Sequence, residues 1–299
     1  MTVCVAALCV GDIIFGASDR VLTAGEILEY EPPTPKIVPI TNSIAIMTAG
    51  DSALQTEILS ELNISVREHI EREPNDWLHV KDLAYRYRHI RNEIRYRHAE
   101  EAILIPLSLT RETFLSRQNE LSADFVSDIR RQLINFEMPG VEAIIAGIDP
   151  EGIRNRPGGH IYTVRDGNVT CHDSLGFAAV GVGSWHASSQ FMLAGYSVSF
   201  YLAETLLLTY IAKKRAEVAP GVGKATDLFT IGTKLGSYRY LKNDFAALCG
   251  KLEKIYEQLV HKEGKTMASA SREMATYYGA VSTITRTGSA VSDNSSCSN

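Results

Sequence analysis

A threonine at the head of a chain carries two reactive groups on one residue, a hydroxyl nucleophile and an α-amine that can take its proton. Thr2 follows Met1, and bacterial and archaeal enzymes that trim initiator methionine act readily before so small a residue. The freed amine would have a reference pKa of about 7.7–8.0, far below the ~10.4 of lysine, so a useful fraction is neutral near pH 7. It can then serve as general base for its own hydroxyl, directly or through one water. A Met-Thr start is common, so it carries no weight alone. The other nucleophiles and ligands are less well arranged. Five cysteines (Cys4, Cys9, Cys171, Cys249, Cys297) are scattered without CxxC spacing, and they read as reduced thiols. No histidine pairs with a carboxylate or cysteine at a ligand spacing, and no glycine-rich phosphate loop is present, so neither a metal nor a cofactor is expected.

The elements around Thr2 begin as antiparallel strands. Residues 2–9 and 12–18 are apolar and β-branched about Gly11-Asp12, a hairpin turn pair. Residues 37–40 and 44–48 repeat this around Thr41-Asn42-Ser43. Helical spacing follows: Ser52-Ala53-Leu54-Gln55 has the form of a capping box, with Leu54, Ile58, Leu62, Val66 and Ile70 behind it. A second helix is expected from Asn75-Asp76, with a stripe of Val80, Leu83, Tyr87, Ile90 and Ile94. Its other faces carry Arg86, Arg88, Arg91, Arg95 and Arg97, read as a solvated face or subunit contact. After a helix at 122–136, strands are expected at 141–147, 160–164, 168–172 and 177–182. Helices at 185–197 and 199–216, a strand at 227–231 and a last helix at 239–262 complete the order. This order lacks βαβ alternation and points to an α+β fold, in which two antiparallel sheets stacked between helix pairs form a four-layer αββα sandwich.

Within that frame the second strand ends Ala17-Ser18-Asp19-Arg20, followed by Thr23-Ala24-Gly25. Lys36-Ile37 opens the third strand, and Gly50 of Ala49-Gly50 lies 14 residues beyond Lys36. Taken singly, an Asp-Arg at a strand end is a surface ion pair, and a lysine before a strand is a solvated charge. Together, over about residues 2–100 and 141–235, they resemble the proteasome β-subunit family of N-terminal-nucleophile threonine hydrolases, nearest in character to the bacterial ancestral-beta-subunit proteins. The resemblance implies that Thr2 is the nucleophile and that Lys36 lowers the effective pKa of its hydroxyl. It implies that Asp19 pairs with Lys36, and that Gly50 offers its N–H to the oxyanion beside Ala49. Thr23 would bind substrate main chain as an added strand. Ser184 would support the amine from the turn Gly181-Val182-Gly183-Ser184, where Val182 replaces a family serine. In the loop at 216–223, Glu217 is the candidate for a family aspartate.

The implied activity is peptide-bond hydrolysis on peptides or unfolded protein inside a homo-oligomeric ring or stack, with a separate ATP-dependent unfoldase as a candidate partner. A non-catalytic structural subunit of the same fold, and an amidase acting on a small amide, remain open. The fold is expected to fill residues 1–235, with an insertion at about 106–140, a helical extension at 236–264 and a flexible tail at 265–299. Charge and hydropathy bound the partners. A net charge of −5 gives no pull toward nucleic acid. The longest apolar run, Ala203 to Ala212, falls short of the ~20 residues that span a bilayer, so a cytoplasmic protein is expected.

Overall fold

A computed structural model describes residues 2–24, 28–33, 35–150, 158–232, 237–241 and 246–289. The chain divides into two units, Met1–Ala246 and Ala247–Asn299. The first is α+β and contains two five-stranded antiparallel sheets.

One sheet grows from the first hairpin, β1 (Cys4–Cys9) and β2 (Ile13–Ser18). Gly11 and Asp12 between them both take positive φ, 82° and 56°, the backbone that a tight turn between twisted strands needs. A two-stranded ribbon of β3 (Leu22–Ala24) and β4 (Leu28–Tyr30) follows. The second sheet starts with β5 (Ile37–Pro39) and β6 (Ile44–Gly50). It continues through β7 (Val141–Asp149), β8 (Gly158–Arg165) and β9 (Asn168–Cys171) in sequential order. The first sheet is completed by β10 (Phe177–Val180), β11 (Asp227–Ile231) and β12 (Tyr238–Tyr240), in the order β10-β1-β2-β11-β12.

Strand β1 is buried along its whole length, and its alternation explains why. Cys4, Ala6 and Leu8 join Ala45, Met47, Ile144 and Ile148 of the second sheet in one apolar cluster. Val3, Val5 and Ala7 point the other way and pack with Ala187, Phe191, Ala212 and Ala216. Successive strand residues face opposite sides, so a strand covered on both sides reads as continuous apolar sequence. The second sheet repeats the pattern: Ile44 and Ile46 join one cluster with Ile58, Leu62, Leu83 and Tyr87 of the first helix pair.

That first pair is α1 (Ser52–Arg72) and α2 (Val80–Ala99). All five expected stripe residues of α2 are buried, each contributing roughly 1.5–3 kcal/mol by the usual transfer scale. The N-termini differ from expectation. Asp51, not Ser52, caps α1 by accepting from Leu54 N at 2.8 Å, and Gln55 turns inward to the Thr48 hydroxyl at 2.9 Å. Helix α2 starts at Val80 instead of Asn75, because its cap comes from another element: Val80 N donates to Asp149 Oδ1 of β7 at 3.0 Å.

The insertion holds α3 (Arg111–Arg117) and α4 (Ala123–Ile134). They build a small core of Leu104, Leu109, Phe114 and Ile129. Arg95 of α2 donates to the Phe136 carbonyl at 2.8 Å, while Arg97 reaches Glu61 of α1 at 2.9 Å. Arg86 likewise donates to the Ser65 carbonyl of α1 at 2.9 Å, so at least three members of the arginine run tie the fold together instead of forming only a solvated face.

The other helix pair is α5 (Ser184–Leu193) and α6 (Leu202–Ala216). Residues 239–240, expected to open the last helix, belong to β12, because Tyr240 and Tyr238 pair with Phe229 and Ile231. The first sheet thus extends past residue 235. Helix α7 (Ala246–Ser289) forms most of the second unit. It is helical through the stretch from Lys265 expected as a tail, where alanine is frequent and proline absent.

Candidate active site

Thr2 and Asp19 are brought together by the first hairpin. Its register pairs Cys4 with Ser18, so the residues just before β1 lie beside those just after β2. Asp19 N donates to the Val3 carbonyl at 3.2 Å, and Val3 N donates to Asp19 Oδ1 at 3.1 Å. The Thr2 hydroxyl donates to the same Oδ1. Lys36 arrives from the other sheet, immediately before β5. Its ammonium donates to Thr2 Oγ1 and to the Val21 carbonyl, and lies 3.2 Å from Asp19 Oδ1. Asp19 was expected to act through Lys36; in the structure it also holds the threonine hydroxyl directly.

These three groups are withdrawn from water, with Thr2 1% and Asp19 0% exposed and the Lys36 side chain 8% exposed. Asp19 is saturated with donors: besides those on Oδ1, its Oδ2 accepts from Gly223 N at 2.8 Å and Val21 N at 3.3 Å. Behind it, Arg20 donates to Asp227 Oδ2 of β11 at 2.7 Å, and that hydrogen bond pushes the Arg20 guanidinium further up from its ordinary range. Cys4, the nearest sulfur, is a poor nucleophile because burial raises its thiol far above the usual value.

Thr2 opens onto a cavity of about 520 Å³ whose lining includes Ala49, Gly50, Gly140, Val182 and Ser184. Gly50 ends β6 at φ +110°, and a Cβ there would stand 2.1 Å from the Gly140 carbonyl oxygen. Glycine is therefore required at the point where the insertion returns to the sheet. The turn before α5 grips the other end of the threonine. Gly183 N donates to the Thr2 carbonyl at 3.3 Å, and a Cβ on Gly181 would meet that carbonyl oxygen at 2.3 Å. Ser184 is the first residue of α5 and lines the cavity, while Val182 is half exposed at its rim.

Two wall residues escaped the sequence reading. Glu142 of β7 accepts from Gly181 N at 2.7 Å and pairs with Arg165 Nε of β8 at 2.7 Å. No motif marks them; only the β7–β8 register, Glu142 opposite Arg165, places them together. Glu217 serves differently from expectation, since its carboxylate binds Lys213 at 2.7 Å and Lys214 at 3.1 Å. Thr23 lies on β3 in register with Glu29, and Gly25 of the same motif falls outside the described residues. The sequence also holds His69 in the last turn of α1 and Glu73 just after it, four residues apart: with Asp76 their ligating atoms lie within 4.8 Å of one another. That group lies ~27 Å along α1 from the cavity end, at about 1.5 Å per residue.

Chemically, a hydroxyl held between an ammonium and a carboxylate is disposed to lose its proton and to be stabilised as an alkoxide. Compared with protein-family models and with curated proteins, the sequence matches none.

Proposed function

We propose that this chain is a threonine-type N-terminal-nucleophile hydrolase that cleaves amide bonds of peptide substrates, with Thr2 as the nucleophile. The observation that carries the reading is the double hold on one hydroxyl, Thr2 Oγ1, by the Lys36 ammonium and the Asp19 carboxylate at the floor of a cavity. The reading requires Thr2 to be the first residue of the mature chain, so that its amine is free.

In the first step Oγ1 attacks the substrate carbonyl carbon while its proton passes to the α-amine. Lys36 holds the developing alkoxide, and the Gly50 N–H takes the oxyanion. Collapse breaks the C–N bond, the departing amine takes the proton, and an ester to Thr2 remains. Water then cleaves that ester and regenerates the hydroxyl and amine. Asp19 keeps Lys36 charged and orients the hydroxyl. Ser184 supports the amine side of the cavity, and Ala49 and Thr23 bind substrate backbone.

The packing is in keeping with this assignment. Three apolar clusters run in turn between α1/α2 and the second sheet, between the sheets, and between the first sheet and α5/α6. Their succession supports the helix–sheet–sheet–helix sandwich of the proteasome β-subunit family. By the same resemblance the working form is a homo-oligomeric ring or stack in the cytoplasm, fed by a separate unfoldase.

Thr2→Ala is expected to abolish both turnover of peptide–coumarin substrates and covalent labelling by epoxyketone or vinyl-sulfone probes. A mass spectrum of the intact protein should begin at Thr2. Labelling that persists in Thr2→Ala would remove the assignment.

A further inference from the structure

The loop after α6 is organised by a lysine that the reaction itself does not use. Lys213 has a fully buried side chain. Its ammonium donates to Glu217 Oε1 at 2.7 Å, the Gly223 carbonyl at 2.9 Å and the Lys224 carbonyl at 3.2 Å. Three donors thus meet three acceptors, which is what keeps a buried ammonium tolerable. Two of the acceptors are consecutive carbonyls on the far side of the turn Glu217–Gly223, so the ammonium closes that turn from inside. The residue it grips is the one whose amide reaches the acid: Gly223 N donates to Asp19 Oδ2 at 2.8 Å, shorter than the 3.3 Å contact from Val21 N.

We propose that Lys213 is a positioning residue for the site, fixing the orientation of the Asp19 carboxylate through the Gly223 amide. The inference rests on the role given to Asp19 above. Its physical content is a relay of rigid contacts. Lys213 fixes Gly223 and Lys224, Gly223 fixes Oδ2, and that leaves Oδ1 facing the Thr2 hydroxyl, Val3 N and Lys36. A carboxylate that loses the Oδ2 donor is free to rotate away from that orientation.

A side chain at Gly223 would have to displace both the Glu31 carboxylate and the buried Val21. A Cβ there would stand 2.0 Å from Glu31 Oε1 and 2.6 Å from Val21 Cγ2, so the loop lies flush against the ribbon. The charged groups around the relay are Lys36 before β5, Arg20 with Asp227 behind β2, Glu31 after β4, and Glu217 and Lys214 on α6. Burial pulls Lys213 down from the ordinary lysine range, and Glu217 opposes that. The Lys213–Glu217 contact therefore favours the charged form.

The test compares wild type, Lys213→Met and Glu217→Gln in the full chain. The first readout is the amide proton shift of Gly223 in NMR, which reports its hydrogen bond to Asp19 Oδ2, with Asp19→Asn as the reference for its loss. The second is kcat and KM for a peptide–coumarin substrate across pH. The expected result is an upfield move of the Gly223 amide proton in Lys213→Met, as its hydrogen bond to Oδ2 lengthens. A roughly tenfold fall in kcat with little change in KM should accompany it, the scale of one hydrogen bond to a charged group. Glu217→Gln should move both in the same direction by less. If Lys213→Met does not fold, Glu217→Gln decides alone. A Gly223 amide shift unchanged in a folded variant overturns the inference. The amide shift does not depend on turnover, so an inert wild type would refute the proposed function while leaving the positioning question answered.

Discussion

Asp19→Asn keeps the shape of a buried side chain and reverses what it can offer its neighbours. Five donors converge on the carboxylate: the Thr2 hydroxyl, Val3 N at 3.1 Å and Lys36 at 3.2 Å on Oδ1, with Gly223 N at 2.8 Å and Val21 N at 3.3 Å on Oδ2. An asparagine has one accepting oxygen, and its amide nitrogen only donates. Whichever way the amide turns, an NH2 faces donors already in place. The Lys36 ammonium, 8% exposed, meanwhile loses its carboxylate. Leaving a buried charge without its partner costs about 3–5 kcal/mol, and an unsatisfied buried donor costs about 1–3 kcal/mol. These penalties overlap in one network, so we expect a loss of about 4 kcal/mol in unfolding free energy. The double variant Asp19→Asn/Lys36→Met removes the orphaned charge and should recover about 2 kcal/mol of the sum of the single losses. Urea titration followed by circular dichroism measures all four corners, with an unchanged slope as the check on a two-state comparison. A single variant within about 1 kcal/mol of wild type, or a cycle that closes additively, would refute the claim that this buried pair is energetically coupled.

Gly50→Ala should cost about 2–4 kcal/mol, because it combines a positive φ with a 2.1 Å approach to a backbone oxygen. Gly140→Ala, whose Cβ would meet nothing within 4 Å, should stay within about 0.5 kcal/mol in the same unfolding assay. On the far side, His160 Nδ1 lies 2.6 Å from Asp173 Oδ2. That hydrogen bond raises His160 despite burial. Burial would raise Asp173, but the His160 and Ile161 hydrogen bonds take it below its usual range. A raised histidine stabilises fully below its unfolded value of about 6.5 and loses that contribution as pH climbs through the folded value. The lowered aspartate contributes above about 3.9 and loses its share as pH falls through its own folded value. Between about pH 6 and 9 wild type should therefore lose on the order of 1 kcal/mol relative to His160→Gln. Parallel melting curves across that range would contradict it.

What the sequence made legible was periodicity and spacing. The Gly11-Asp12 hairpin, the α2 stripe and the strands of both sheets follow from alternation and turn chemistry, which are local. The separation of Asp19 and Lys36 from Thr2 is readable because the strand order brings those three positions to one place. Several of the misreadings are cases where a partner far along the chain decided the matter. Asp149, 69 residues from Val80, caps α2 and moves its start. Arg239 and Tyr240 read as helix until β11 claims them as a strand. Glu142 and Arg165 carry no local signal, and meet only through the β7–β8 ladder. His69, Glu73 and Asp76 converge because the chain turns back after α1, and the i,i+4 spacing of the first two was the available cue.

The positions where the chain departs from the family pattern share one physical feature: the backbone supplies the contact that side-chain matching looks for. At the turn before α5, where Val182 replaces a serine, the Thr2 carbonyl is held by Gly183 N, and the close approach requires that Gly181 carry no Cβ. In the loop after α6 a carboxylate was sought near the threonine, yet Glu217 faces Lys213, and the group that reaches Asp19 is the Gly223 amide. Amides have no letter in a sequence, but the glycines that let them approach do. Gly181, Gly183 and Gly223 each leave space that a Cβ would fill at 2.9 Å or less. A site built this way depends on how its loops are clamped more than on which side chains they carry. That is why the buried ammonium of Lys213, remote from Thr2 in sequence, bears on the geometry around it.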